Sequence, residues 1–197
     1  HVYGNICDVE AIDKIAKKHN LKVIYDAAHV FGVKYKEKDI SSFGDMSMFS
    51  FHATKVFNTV EGGGLVFKDS TLNNTIKQLR QFGMQDSENV PIVGTNAKLS
   101  EMHAAMGICN LRHINEQISL RKEAVEQYFL RLGNIQGIKL SPTQKDVTPN
   151  YAYFPVLFDG YKENRDEVAQ KLANNNIYAR KYFYPLTSDF SVYQNMF

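Results

Sequence analysis

The stretch MSMFSFHATK, residues 46–55, joins an apolar segment that is typical of a β-strand to a polar turn that ends in Lys55. A glycine turn, Gly62–Gly64, follows shortly afterwards. A lysine placed where a buried strand ends can lose part of its hydration, which favours the neutral amine that Schiff-base chemistry needs. The stretch therefore predicts a strand of an internal sheet with a reactive amine just beyond its end.

A second apolar segment ends in a carboxylate. Residues 23–26 read VIYD, which places Asp26 at the end of a short strand. A lysine or an aspartate alone at such a position is more often a solvated strand end or a loop cap. The two at neighbouring strand ends match the needs of pyridoxal phosphate, because the amine forms the imine and the carboxylate keeps the pyridine nitrogen protonated. The pair makes pyridoxal phosphate the cofactor that the sequence predicts.

Helix and strand signals alternate through the first two thirds of the chain. Asp8 is a plausible N-cap and Asn20 a plausible left-handed stop for a helix between them. Three further helices and three strands are predicted in this region: helices at 71–82, 101–109 and 114–132, and strands at 21–25, 46–51 and 65–67. Helices and short buried strands in this order favour an α/β fold that binds ligands at the carboxyl ends of its strands.

The pattern changes after the turn-rich stretch 141–150, which is the best candidate for a linker. Beyond it, the sequence predicts an aromatic strand at 151–158, a helix opened by a capping box of Asn164 and Glu167, and a strand at 177–182. A strand–helix–strand unit of this size predicts a smaller α+β domain. We therefore expect one domain in residues 1–140, including a connecting helix, and the start of a second in residues 141–197.

Composition excludes several classes of protein. A net charge of +2, with no basic cluster longer than Lys17–Lys18, argues against a nucleic-acid partner. Cys7 and Cys109 are far apart and indicate free thiols in a reducing compartment, without metal-ligand spacing. No apolar stretch approaches the roughly 20 residues of a membrane span, so we expect a cytoplasmic protein without membrane association. Because the chain runs from His1, not methionine, to Phe197, we expect it to be a piece of a longer protein.

Six short motifs extend this interpretation across nearly the whole chain. They are DAAH at 26–29, SFHATK at 50–55, EGG at 61–63, GTN at 94–96, EMHAAMG at 101–107 and YFYPL at 182–186. Together they resemble the nucleotide-sugar aminotransferases of the DegT/DnrJ/StrS type. The resemblance implies the fold-type-I architecture of pyridoxal-phosphate enzymes, similar to aspartate aminotransferase, with a three-layer α/β/α large domain and a smaller α+β C-terminal domain. Residues 1–140 would be the C-terminal part of that large domain.

The resemblance also implies roles for individual residues. Lys55 would be the Schiff-base lysine and proton carrier, and Asp26 would pair with the pyridine nitrogen. His29 would lie close to the phenolic oxygen of the cofactor, and Ser50 would donate to its phosphate. Asn96 would reach the phosphate bound by the partner subunit, so that a homodimer builds two shared active sites. From the residues alone, His29 could equally be a ring packed in the core, and Ser50 could bond the neighbouring backbone.

Two features depart from the family pattern. The glycine–threonine turn that grips the cofactor phosphate lies upstream of His1 in the family. Thr187 stands where many members have a histidine after the YFYPL-like segment, although Tyr184 could still line the sugar pocket.

The resemblance implies amino transfer from glutamate to a keto nucleotide-sugar, first of all a dTDP-4-keto-6-deoxyhexose, in the synthesis of amino sugars for surface polysaccharides. Two alternatives stay open at this point. One is a 3-keto-sugar aminotransferase of the same family, and the other is a fragment that dimerises without cofactor and has no activity of its own.

Overall fold

The computed structural model describes residues 1–194. Five α-helices lie in this part of the chain: α1 Val9–His19, α2 Asn73–Arg80, α3 Glu101–Leu111, α4 Ile114–Leu132 and α5 Arg165–Ala173. Eight short strands accompany them: β1 Ile24–Asp26, β2 Lys34–Tyr35, β3 Lys38–Asp39, β4 Met46–Ser50, β5 Gly63–Phe67, β6 Ile138–Leu140, β7 Val147–Thr148 and β8 Val156–Phe158. Within residues 1–194, no helix is long and apolar enough to cross a membrane.

The ends of α1 confirm the predicted caps. The Asp8 carboxylate accepts a hydrogen bond from the backbone N–H of Ala11, which satisfies one of the donors that a helix start leaves unpaired. Asn20 adopts the left-handed conformation that ends many helices, with φ of 51°. These local signals lie within a few residues of each helix end and do not depend on distant contacts.

The main sheet has the order β1–β4–β5. Strand β1 runs parallel to β4, with Asp26 opposite Met48, and β5 runs antiparallel to β4. One face of this sheet is buried: Tyr25 and Phe49 pack with Val9 of α1 in a cluster that also contains Val30, Val33 and Ile40. Burial of these apolar side chains stabilises the fold by roughly 1.5–3 kcal/mol for each residue that is fully removed from water.

The opposite face of the sheet is more exposed than the predicted short buried strands imply. In the described residues, Ile24 of β1 is 66% exposed and Leu65 of β5 is 47% exposed. Successive side chains of a strand point to opposite faces, and only the face that carries Tyr25 and Phe49 meets the core cluster described above. Apolar composition alone does not distinguish a strand covered on one side from a strand covered on both.

The chain divides into two compact units. The first comprises residues 1–126 together with 143–153, and the second comprises residues 127–142 and the chain from Phe154 onward. The first unit also holds a small sheet of order β3–β2–β7, and the second holds the antiparallel pair of β6 and β8. The predicted domain boundary between residues 140 and 141 stays a prediction.

The second unit confirms one local prediction and corrects two others. Asn164 and Glu167 form the predicted capping box at the start of α5. The predicted strand at 151–158 is reduced to β8, and residues 177–182 form no strand. Ile177 is 55% exposed, and no strand in residues 1–194 pairs with this segment, so its apolar β-like composition is not enough to form a sheet.

Candidate active site

The loop that carries Lys55 is closed at its base by backbone hydrogen bonds. The N–H of Phe51 donates to the carbonyl of Gly62, and the N–H of Thr59 donates to the carbonyl of Phe51, both at 2.9 Å. Within the loop, the N–H of Lys55 donates to the carbonyl of His52 at 2.9 Å, which forms a turn. The lysine therefore begins from a backbone position that is tied directly to the end of β4.

Side chains strengthen the same loop. The Asn58 amide donates to the Lys55 carbonyl at 3.4 Å, and Asn110 of α3 donates to the Asn58 carbonyl at 2.8 Å. Phe57 is buried, and its ring stacks on that of Phe31 with 4.5 Å between centroids. A polar contact to α3 and an aromatic contact to the core therefore hold the segment that follows Lys55.

The Lys55 side chain is half-buried in a tight environment. It lines a cavity of about 10 Å³ together with His29, Tyr153 and others, namely Ala28, Phe31, Val56, Asn150 and Ala152. The Lys55 Nζ donates to the hydroxyl of Tyr153 at 3.4 Å. The amine thus contacts a protein group of the first unit at a partly buried position.

His29 is in contact with the same tyrosine. Its Nε2 lies 3.2 Å from the Tyr153 hydroxyl, and its Nδ1 accepts a hydrogen bond from the backbone N–H of Tyr3 at 3.0 Å. Burial lowers the pKa of His29, the Lys55 cation lowers it further, and the Asp26 carboxylate acts in the opposite direction. Both the predicted amine and the predicted carboxylate therefore lie within electrostatic range of one imidazole. Burial and the Lys55 cation favour its neutral form, and Asp26 opposes them.

Asp26 and Ser50 lie at the carboxyl ends of the two parallel strands, at one edge of the sheet. One Asp26 oxygen accepts from the N–H of Ala28 at 3.0 Å, and the side chain is exposed. The Ser50 hydroxyl accepts a long hydrogen bond, 3.4 Å, from the N–H of His52, so the local backbone contact is present, and its own O–H proton remains to donate. An accessible carboxylate, a hydroxyl donor and an amine at one sheet edge form a donor set that fits pyridoxal phosphate.

Two predicted site residues are not brought into this group. Asn96 lies in an exposed segment, where its Oδ1 accepts from the Lys98 Nζ at 2.8 Å, and it does not line the cavity around Lys55. Tyr184 lies in the second unit, is 58% exposed, and has its ring 4.3 Å from the guanidinium carbon of Arg165. Their predicted roles toward the cofactor and the sugar stay predictions.

Sequence reasoning missed the contribution of the segment 150–153. The sequence predicts Asn150 at the end of a linker. In the structure this residue is only 1% exposed, and its amide donates to the carbonyls of His29 and Phe31 at 3.0 and 2.9 Å. These bonds bring Tyr153 to Lys55. An asparagine next to an aromatic run is common in loops. The one signal for a buried role was that an asparagine side chain can form hydrogen bonds with several backbone groups at once.

The sequence was compared with known proteins. The sequence matches the DegT/DnrJ/EryC1/StrS aminotransferase family over residues 1–197. It is 44% identical to a dTDP-4-amino-4,6-dideoxy-D-glucose transaminase of Shigella dysenteriae over all 197 residues, and 39% identical to an Escherichia coli protein of the same name. The match covers 54% and 53% of those two relatives, so the chain spans about half the length of the curated relatives it matches.

A solved structure gives the corresponding result for the fold. The crystal structure of DesI, determined in the presence of its TDP-sugar product, superposes with a TM-score of 0.89 at 32% sequence identity. The superposition covers 99% of this chain and 50% of DesI. The predicted α/β aminotransferase fold is therefore confirmed.

Proposed function

Because the chain belongs to the DegT/DnrJ/EryC1/StrS aminotransferase family, we propose that the protein containing it is a pyridoxal-phosphate-dependent sugar-nucleotide transaminase. It transfers an amino group from glutamate to the keto carbon of a nucleotide-linked sugar, in the first place a dTDP-4-keto-6-deoxyhexose. The observation that carries the proposal is the grouping of Lys55, His29 and Asp26 at one sheet edge, in a sequence 44% identical to a transaminase of that sugar class.

Asp26, Ser50 and Lys55 have distinct tasks in this proposal, and His29 lies close to the phenolic oxygen of the cofactor. Pyridoxal phosphate, when bound, supplies the electron sink that makes the substrate carbon–hydrogen bond acidic. Asp26 holds a proton at the pyridine nitrogen, and the Ser50 hydroxyl donates to the phosphate. Lys55 Nζ would hold the cofactor and would move the proton to and from the substrate carbon, because a primary amine held beside a reacting carbon can act as its acid and base.

The assembly and the cellular place are part of the same proposal. Asn96 contacts the phosphate in the partner subunit of a homodimer, and Tyr184 lines the sugar pocket. Cys7 and Cys109 are free thiols, which supports a reducing compartment such as the cytoplasm. The amino sugars made would serve the synthesis of surface polysaccharides.

The cofactor assignment is tested in the full-length protein by its visible absorbance. We expect the purified protein, after incubation with pyridoxal phosphate, to show a bound-cofactor band that is absent in Lys55→Ala. Lys22→Ala is the matched control, because the Lys22 side chain is 83% exposed and pairs with surface Asp45. A colourless full-length protein, or an unchanged band in Lys55→Ala, would contradict the proposal and favour a non-catalytic dimerising protein.

The site of amination is tested separately with 3-keto and 4-keto nucleotide sugars and glutamate as donor. We expect amino transfer to the 4-keto sugar, and mass spectrometry and NMR of the product identify the aminated carbon. Transfer to the 3-keto sugar alone would assign the protein to the other substrate class.

A further inference from the structure

We propose that the Tyr153 hydroxyl is a positioning group for the Lys55 amine, and that His29 orients this hydroxyl. The proposal rests on the proposed function, because it concerns the amine that carries the proton in amino transfer. It is carried by a connected set of contacts: the backbone of Tyr3 to His29, His29 to Tyr153, and Tyr153 to Lys55.

The first step of the argument is the tautomer of His29. The backbone N–H of Tyr3 is a donor only, so the His29 Nδ1 that it reaches at 3.0 Å must present a lone pair. A neutral imidazole with an unprotonated Nδ1 carries its hydrogen on Nε2. The Nε2–H is therefore the donor in the 3.2 Å contact with the Tyr153 hydroxyl oxygen.

The second step concerns the hydroxyl oxygen. A tyrosine hydroxyl has acceptor capacity on oxygen and one O–H proton. Lys55 in its ammonium form has donors only, so its 3.4 Å contact with Tyr153 also ends on that oxygen. With both neighbours donating, Tyr153 acts as an acceptor toward Lys55, and the neutral His29 prevents the hydroxyl from turning its proton toward the imidazole.

The third step is the rigidity of Tyr153. Asn150 holds the adjacent backbone through its bonds to the carbonyls of His29 and Phe31, and its Oδ1 accepts from the N–H of Ala152 at 3.0 Å. The Tyr153 ring lies 4.5 Å from the His29 ring. A hydroxyl fixed in this way limits the positions of the flexible lysine chain and keeps Nζ near the site when it is not bonded to the cofactor.

Removal of the hydroxyl alone tests the contact without cofactor. In the full-length, cofactor-free protein, Tyr153→Phe keeps the ring and deletes the oxygen that accepts from the ammonium form of Lys55. The neutral, nucleophilic amine is then favoured, and the rate of acylation of Lys55 should rise by about twofold to tenfold. Peptide mass spectrometry measures the rate for Lys55 against Lys22 as internal reference. Tyr128→Phe is the control, because the Tyr128 ring stacks on Phe154 in the second unit. This variant should leave the acylation rate of Lys55 unchanged. An equal Lys55 rate in Tyr153→Phe and the unmodified protein would overturn the proposal.

The loaded enzyme supplies the second measurement. We expect Tyr153→Phe to lower kcat for amino transfer about tenfold or more, with KM for the sugar and the affinity for pyridoxal phosphate close to unchanged. An unchanged kcat would overturn the positioning role. A loss confined to KM or to the melting temperature would also overturn it, because it would indicate substrate binding or structure only.

A third measurement needs no variant. Nitrogen-15 NMR of the unmodified, cofactor-free protein should find His29 with its proton on Nε2, and the opposite tautomer would overturn the proposal. The labelling and NMR results do not depend on the reaction. If they hold while Lys55→Ala still binds and colours with cofactor, the proposed function fails and the hydrogen-bond network stands.

Discussion

In the segment that carries Lys55, the backbone itself is tied to its surroundings, whereas the described contacts of Tyr184 are made by side chains at the surface. Phe51 and Gly62 close the first segment by a 2.9 Å hydrogen bond, and buried Thr59 lies inside it. The Tyr184 ring rests on Arg165, which pairs with Asp166. When the backbone of a residue is fixed, its functional atom can move only through the rotations of its own side chain. Ring and ion contacts at the surface are readily replaced by contacts with water.

This difference indicates that the described contacts restrain Lys55 more strongly than Tyr184. The position of the amine is specified by buried groups within the first unit. Among the described contacts, a tyrosine that is 58% exposed has no comparable restraint, so the role proposed for Tyr184 would depend on groups that bind or cover it. The predictions below test this contrast, beginning with the largest expected effect.

The base of the Lys55 loop should tolerate no side chain at Gly62. This residue has φ of 152°, and a Cβ built on it would lie 2.4 Å from the Thr59 hydroxyl oxygen. We expect Gly62→Ala to lower the free energy of unfolding by about 2–4 kcal/mol, measured by urea denaturation, and to weaken cofactor binding. Gly160→Ala in the second unit is the control. Gly160 also has a positive φ, 79°, but the Cβ that alanine adds there would meet open space, so this variant should lose only about 1 kcal/mol of stability. Equal costs for the two variants would contradict the close packing of the loop.

The support from α3 should have a smaller but measurable effect. Asn110→Ala removes the 2.8 Å bond to the Asn58 carbonyl, which is partly buried, and we expect a loss of about 1–2 kcal/mol in urea denaturation. We also expect Asn110→Ala to bind pyridoxal phosphate more slowly, because the loss of this contact would displace Lys55. Asn175→Ala removes a bond of similar length to the carbonyl of Lys171 at an exposed site, and should change stability by less than about 0.5 kcal/mol. If Asn110→Ala were as mild as this control, the contact to α3 would be dispensable.

The neutral His29 should make the first unit sensitive to acid. Its pKa in the folded protein is lowered from the ordinary value of 6.5, so the unfolded chain binds the proton more readily. Stability contributed by the neutral ring is complete above about pH 6.5 and is lost as pH falls through the lower folded pKa, when protonated Nδ1 can no longer accept from Tyr3. Lys55, Asp26 and the amino group of His1 act on the pKa of His29, and the Tyr153 hydroxyl is in contact with its ring. His29→Gln should remove this component from the pH profile of urea midpoints, and an identical profile in both proteins would contradict it.

The surface segment should show the smallest effect on stability. Tyr184→Ala loses a ring contact with Arg165 at an exposed site, and we expect a change within about 0.5 kcal/mol in urea denaturation. If Tyr184 lines the sugar pocket, KM for the nucleotide sugar should rise severalfold while the cofactor band is unchanged. A normal KM would remove Tyr184 from the substrate site.

The sequence was sufficient to predict features in which a side chain forms hydrogen bonds with residues close to it in the chain. The Asp8 cap, the Asn20 stop and the Asn164–Glu167 capping box are each made within a few residues, so the sequence predicts them correctly. The strand at 177–182 was wrong because a strand needs a partner, and composition does not report whether one is present. The same reason explains the uncovered side of β1 and β5.

The family and the chemical types at the site follow from the residues alone: an amine in Lys55, a carboxylate in Asp26 and an imidazole in His29, at spacings that predict strand ends. How these groups are held follows from the folded chain, because Tyr153 lies 98 positions from Lys55 and 124 from His29 in the sequence. Contacts across such separations arise from packing, here from the burial of Asn150 against residues 29–31. Chemical identity is a property of single residues, whereas hydrogen-bond direction and tautomer depend on which distant groups the fold brings together.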